Sequence, residues 1–392
     1  MTNALDQLFV ILKDWVVGWF PAGWQPFVGA LLDAMAIVAV FATLFALTTW
    51  LERKGLGRMQ NRYGPNRVGP FGLLQPLADG IKALTKEDLV PRAADPVVHF
   101  LAPLVLVVPV LLAYSVLPFG RNMVPLPGCD AGVLLFFAAG SATELAIFMA
   151  GWSSRNKYSL LGALRAIGQM LSYEVPLILS AVTVIMIVGS LSTEKIVAAQ
   201  GVYHGWLPGW HVFTPWGFAG FLLFLVAATA ESNRSPFDLP EAESELIAGY
   251  YVEYSGFKFA LFFLGEYLGL FAVSGLAITL FLGGWQAPLS FLTWVPSWFW
   301  FFAKLLPFIA LFIWLRGTLP RLRLDQLMNF AWKFMLPMAL VNLVAAALWH
   351  WLGAGLARWL VSAALLAAAY LALGRAVSGA AKMPQRHYQL AD

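Results

Sequence analysis

Residues 258–282 read Lys258-Phe259-Ala260-Leu261-Phe262-Phe263-Leu264-Gly265-Glu266-Tyr267-Leu268-Gly269-Leu270-Phe271-Ala272-Val273-Ser274-Gly275-Leu276-Ala277-Ile278-Thr279-Leu280-Phe281-Leu282. A bilayer-spanning helix needs about 20 mostly apolar residues. This stretch meets that length with a single carboxylate, Glu266, inside it. Eight further segments read the same way: 27–51, 97–117, 132–152, 166–189, 215–231, 298–315, 332–352 and 356–374. The expected fold is therefore all-α, a polytopic transmembrane helix bundle of about nine spans with long ordered cytoplasmic loops. Leu5–Phe20 is apolar but carries Asp6, Lys13 and Asp14 and ends at Pro21. It reads as an interfacial helix or an extension of the first span, and not as a signal peptide, since its start is not basic.

Composition agrees. Of 392 residues 60% are apolar and 12% charged, where soluble domains carry about 25% charged residues. So little charge could not cover a water-facing surface, and so much apolar content excludes disorder. The net charge of +4 is too small to argue for nucleic acid. The lone Cys129 excludes a disulfide framework or a cysteine-held iron–sulfur site within this chain. His99, His204, His211, His350 and His387 are scattered, so no metal site is expected and any redox cofactor belongs to a partner.

Charge placement sets orientation. Loops 52–96, 153–165, 232–257 and 316–331, the tail 375–392 and the span edges Lys258 and Lys333 share one side and hold 20 of the 25 Lys and Arg residues. The positive-inside rule makes that side cytoplasmic, with the N-terminus outside and the C-terminus inside. Trp50, Trp152, Trp216, Trp298, Trp314, Trp332, Trp349 and Trp351 fall near span ends, as interface anchors do.

Two inner loops are unusual. In loop 52–96, Leu73–Leu84 has apolar residues at helical spacing, which predicts an amphipathic surface helix with Asp79 and Lys82 on one side. Its arginines fit a lipid-facing basic loop; its acids Glu52, Asp79 and Glu87 do not. Gly55-Leu56-Gly57 lacks the third glycine of a dinucleotide fingerprint and reads as a turn. In and around loop 232–257 six carboxylates lie within 23 residues: Glu231, Asp238, Glu241, Glu243, Glu245 and Glu253. If 240–248 is helical, Glu241 and Glu245 share a face. Crowded carboxylates can hold protons near neutral pH; equally, the patch can dock a basic partner.

Asp33, Glu144, Glu174, Glu266 and Lys304 lie inside proposed spans. Each costs about 2.5–3.5 kcal/mol at mid-bilayer, so each is a functional candidate. Asp33 and Lys304 are near enough to a membrane face to snorkel or cap. Glu174 precedes Val175-Pro176, and a proline frees a backbone carbonyl where water can sit. Glu144 stays open.

Longer blocks of sequence carry a family resemblance. Glu52-Arg53-Lys54 through Gly64-Pro65-Asn66-Arg67-Val68-Gly69-Pro70 to Lys86-Glu87-Asp88 resembles the first long loop of the H-type membrane subunits of NADH-quinone oxidoreductase, respiratory complex I. Their mitochondrial counterpart is NADH dehydrogenase subunit 1. Glu231-Ser232-Asn233-Arg234-Ser235-Pro236-Phe237-Asp238-Leu239-Pro240-Glu241-Ala242-Glu243-Ser244-Glu245-Leu246 is similar to that family's second signature. Gly162–Ala166, Ser172–Val175 and Pro320–Met328 with Trp332-Lys333 are also similar. The blocks run in order across roughly 27–352, between an N-terminal stretch 1–26 and an additional span and tail, 353–392.

The resemblance implies a subunit that binds no redox cofactor itself and has no catalytic residue or metal in this chain alone. FMN and iron–sulfur clusters lie in partner subunits, and a quinone is the substrate. Arg53, Lys54, Arg62, Phe237, Tyr250 and Tyr254 would shape the quinone chamber. Glu52, Asp79, Glu174, Glu231, Asp238, Glu241, Glu243, Glu245, Glu253 and Glu266 would form a proton path from it. Implied partners are peripheral-arm quinone-site and iron–sulfur subunits, small membrane subunits and membrane lipid, in a bacterial inner (cytoplasmic) membrane. The alternatives are a homologous subunit of a membrane-bound hydrogenase-type complex, or a purely structural anchor for the peripheral arm.

Overall fold

A computed structural model describes residues 5–239, 248–353 and 355–380. The helices run α1 Leu8–Val17, α2 Gln25–Met59, α3 Gln75–Thr85, α4 Pro96–Ala113, α5 Gly132–Ser153, α6 Lys157–Val188 and α7 Thr193–Ala199. They continue with α8 Pro215–Glu231, α9 Gly256–Phe281, α10 Ser297–Thr318, α11 Leu324–Phe330, α12 Leu336–Trp351 and α13 Leu356–Ala380. A single π turn, Ala331–Met335, joins α11 to α12 into one continuous rod. A two-residue hairpin, Tyr203–His204 with Leu207–Pro208, is the only sheet among the described residues. Eight helices in this set are long and apolar enough to cross a membrane. The ninth expected span, α8, is a shorter apolar helix over the residues the sequence indicated.

Local chemistry fixes the ends. Asp95 Oδ1 accepts from the Val97 and Val98 amides at 3.1 and 3.3 Å, with Pro96 opening α4. Asn156 Oδ1 caps α6 through the Tyr158 amide at 2.9 Å. Thr214 Oγ1 caps α8 through Gly217 at 3.1 Å, with Pro215 first in the helix. These side chains satisfy amides that a helix start leaves open. Gly189, at φ +71°, closes α6 in the left-handed conformation.

α9 is the centre of the bundle: 72% of its most apolar window is buried, against 6% for α2. It packs on α4, α8, α10, α2 and α3. Phe41 of α2 stacks on Tyr114 with ring centres 4.0 Å apart, and the Tyr114 hydroxyl donates to the Leu268 carbonyl of α9 at 2.5 Å. A second cluster joins α4, α5 and α6 through Ala102, Ala146, Ala150, Ala163 and Ala166 to Tyr250, Tyr251 and Tyr254. Small residues let helix backbones approach where lipid gives no hydrophobic drive.

Several of the charge-rich loops are more helical than the sequence indicated. Gly55-Leu56-Gly57 is not a turn. α2 continues through it to Met59, so Glu52 is on a helix. The glycine serves a close approach instead: a Cβ on Gly57 would lie 2.9 Å from the Gly64 amide, where the chain folds back. α6 likewise begins at Lys157, leaving little of loop 153–165, and α10 runs on to Thr318 past Arg316. The amphipathic helix appears as α3, with Leu77, Ile81 and Leu84 exposed on its apolar side. Trp216 is not an interface anchor; it is 1% exposed and packs beside His211.

Candidate functional site

α2, α9 and α10 meet the loop after α8 around one carboxylate. Glu52 is 5% exposed. Its Oε1 accepts from Arg234 Nη1 at 3.2 Å and from Arg316 Nη1, and its Oε2 accepts from the Tyr267 hydroxyl. The Arg234 guanidinium also lies over the Tyr267 ring, 4.0 Å from its centre. Burial opposes the charge on Arg234, but the facing Tyr267 and Glu52 outweigh it and hold the group above its ordinary range. One buried acid between two guanidiniums is a desolvated cluster in which each partner depends on the others.

Arg234 also interacts electrostatically with Glu266, the acid of the central helix. Tyr250, at the end of the acidic loop, donates to Glu266 Oε1 at 3.0 Å. Beyond them opens a cleft of about 70 Å³ lined by Glu266, Tyr250, Thr143, Asn233 and Glu231 within mostly apolar walls. A water needs roughly 10–15 Å³ by this measure, so several fit. Glu231 Oε2 has no hydrogen-bond partner among the described residues.

Glu144 of α5 and Glu174 of α6 are linked to Glu231. Both act electrostatically on Glu231, and on each other. Ser141 donates to Glu174 Oε1. Like charges so placed couple their protonation states. The succession is therefore Glu52, Glu266, Glu231, Glu144 and Glu174, drawn from five helices.

Gln169 of α6 holds the turn that carries Arg234. Its Nε2 donates to Ala230 O at 2.7 Å, Phe237 O at 2.8 Å and Asn233 Oδ1 at 3.2 Å. Leu322 N donates to Pro236 O at 3.1 Å, tying the loop before α11 to the same turn. Phe237 is buried against Tyr173, ring centres 5.2 Å apart. Tyr254 stacks on His99 at 3.9 Å; burial pushes its hydroxyl up to about 12, partly offset by Ser153.

The remaining expected residues lie elsewhere. Arg53 pairs with Asp79 at 2.6 Å on the exposed face between α2 and α3, and Gln75 donates to Asp79 at 3.0 Å. Lys54 donates to Asn66 Oδ1 at 2.5 Å and Arg62 to Gln60 Oε1 at 2.6 Å. Glu253 accepts from Asn156 at 2.7 Å, away from the acid succession. Asp238 is half-buried beside Phe237. Glu241, Glu243, Glu245 and the helix expected over 240–248 fall largely outside the described residues. Asp33 pairs with Lys13 at 2.5 Å. Lys304 donates to the carbonyls of Leu282, Gly284 and Gln286 at 2.6–2.8 Å and so caps the chain after α9.

Sequence reasoning missed Arg316 and Tyr267 as partners of Glu52, and left Glu144 open. Spacing signals none of them. The only hint was cost: each is a polar group placed in or beside a span.

A many-span bundle that holds one buried and four half-buried acids among its helices defines a polytopic membrane subunit built around internal carboxylates. The NADH dehydrogenase family profile matches residues 32–347. The NADH-quinone oxidoreductase H subunit of Dehalococcoides mccartyi strain CBDB1 is 54% identical over 298 residues, covering 76% of this chain and 80% of that protein. The H subunit of Geobacillus kaustophilus is 48% identical, covering 81% and 92%. That of Thermomicrobium roseum is 47% identical, covering 82% and 95%. The chain belongs to the NADH dehydrogenase family, as an H-type membrane subunit of the oxidoreductase complex I.

Proposed function

We propose that this subunit forms the membrane part of a quinone-binding chamber and conducts protons from it into the membrane arm. The observation that carries this reading is the set Glu52, Glu266, Glu231, Glu144 and Glu174: Arg234 faces both Glu52 and Glu266, a cleft roomy enough for water is lined by Glu266 and Glu231, and Glu231, Glu144 and Glu174 interact electrostatically. Protonatable groups in low dielectric, joined by water, are what a proton path needs. The exposed Arg53 and Arg62 and the half-buried Lys54, together with the buried Phe237, Tyr250 and Tyr254, form the chamber side. Asp79, Asp238, Glu241, Glu243, Glu245 and Glu253 feed protons to its mouth.

Reduction of a quinone to its quinol takes two electrons and two protons. The electrons arrive through FMN and iron–sulfur clusters of partner subunits; this chain supplies carboxylates. The change of charge in the chamber shifts protonation along the succession. The core 27–352 performs this role in a bacterial inner membrane, with the N-terminus periplasmic, the C-terminus cytoplasmic, and peripheral-arm and small membrane subunits as neighbours. Segments 1–26 and 353–392 flank it. The test is Glu174→Gln in the assembled complex, with quinone reduction and proton translocation measured together. We expect fewer protons per electron with assembly intact; an unchanged ratio overturns the reading.

A further inference from the structure

We propose that the opposite face of the bundle holds a site for one zwitterionic phospholipid head bearing a primary ammonium. The N-terminal end of α10 lies 19 residues from Arg316, about 28 Å along the helix, which places it a bilayer's thickness from the Glu52 cluster. There a cavity of about 160 Å³ is lined by Asp6, Arg121, Tyr203, Trp285, Gln286 and Trp300, among others. It is independent of the acid succession and shares no residue with it.

The chemistry of the lining is bipolar. Arg121 is exposed, stands 5.3 Å from the Trp285 ring centre, and forms no ion pair among the described residues. Its own amide is held by Ser297 Oγ at 2.8 Å, so the backbone is fixed while the guanidinium stays available. Asp6 is 6% exposed. Its Oδ1 accepts from the Ser297 amide and hydroxyl at 2.7 and 2.5 Å, and its second oxygen makes no hydrogen bond among the described residues. Gln286 Oε1 and Trp300 Nε1, an acceptor and a donor, are likewise without partners among the described residues.

One fixed cation and one fixed anion in a single cavity match a ligand carrying both signs. A phosphate meets Arg121 and the indole N–H. An ammonium meets Asp6 and the amide oxygen, with tryptophan faces beside it. A doubly charged anion would instead face Asp6. A quaternary choline head has no N–H to give the two acceptors, so a primary ammonium fits better. The ligand is a lipid and not a free zwitterion because exposed apolar side chains that suit acyl chains adjoin the lining: Leu5 next to Asp6, Trp294 between Thr293 and Val295, and Phe9, whose ring lies 5.4 Å from that of Trp298, are each more than 40% exposed.

The experiment is native mass spectrometry of the intact purified complex, reconstituted in nanodiscs of phosphatidylethanolamine or of phosphatidylcholine and then released into detergent. We expect the wild type to keep one more tightly held phosphatidylethanolamine than Arg121→Gln, with Arg121→Lys retaining it in part. Phosphatidylcholine should not take its place, and millimolar phosphoethanolamine should not displace it. Asp6→Asn should behave as Arg121→Gln, while Lys195→Gln, in an exposed outer pair with Asp130, should match wild type. Equal retention in wild type and Arg121→Gln overturns the proposal. So does equal retention of phosphatidylcholine, and so does displacement by phosphoethanolamine, which would make the ligand a soluble zwitterion.

Discussion

Arg234 reaches Glu52 across 182 residues of sequence, Nη1 to Oε1 at 3.2 Å, and so binds the turn after α8 to the C-terminal part of α2. With Arg316 and Tyr267 on the same carboxylate, three separated elements share one anchor. Removing one partner of a buried ion cluster costs more than the cluster contributes, since charge is left uncompensated.

Arg234→Ala is therefore expected to destabilise the subunit by about 3–5 kcal/mol. Arg234→Lys keeps the charge without the planar fork and should recover only part. Thermal unfolding of the purified complex, followed by release of this subunit, measures both.

Glu231→Gln keeps shape and removes a proton carrier at the wall of the cleft. The expected result is normal assembly with proton translocation reduced about tenfold or more. Tyr250→Phe removes the hydrogen bond to Glu266, a loss of about 1 kcal/mol, and should slow translocation several-fold at most. Parallel assays of quinone reduction and proton release in proteoliposomes separate the two.

Gly64→Ala places a Cβ 2.9 Å from the Arg53 carbonyl and the Lys54 Cα, both backbone atoms that cannot swing aside. A cost of about 1–3 kcal/mol is expected, confined to the fold-back of residues 60–74 on α2. Faster limited proteolysis in that stretch, with the rest of the bundle resistant, is the readout.

His211 gives a pH prediction with a definite sign. Burial lowers its pKa from 6.5 to about 4, so the folded chain holds it neutral. Between those values the unfolded chain takes up a proton that the folded chain refuses. The contribution is complete above pH 6.5 and is lost as pH falls toward 4, by about 3 kcal/mol in all. His211→Gln should flatten this part of the profile of melting temperature against pH, and leave it unchanged above pH 7.

The spans were legible because apolar length is a local property. The stretch 258–282 is α9 to within two residues, and 215–231 is α8. Boundaries on the charge-rich side were not, because helices there continue past the apolar stretch: α2 carries Glu52 through Gly57 to Met59. Glu144, Glu174 and Glu266 were legible by their cost in lipid, Glu52 and Glu231 as acids of the two unusual loops. Their order was not, since Glu52, Glu266, Glu231, Glu144 and Glu174 come from five helices and only packing sets which follows which. Arg316 read as an ordinary inner-face charge, and nothing in its neighbourhood of sequence points to Glu52.

The Gln169 amide has two hydrogens and stands before three acceptors: Ala230 O, Asn233 Oδ1 and Phe237 O. At any instant one acceptor is left without a Gln169 hydrogen, so more than one pairing is open. The turn that carries Arg234 is thus held by a bracket with built-in degeneracy. It can exchange one pairing for another without breaking its hold, so small readjustments beside the acids come at little enthalpic cost while the polypeptide stays clamped.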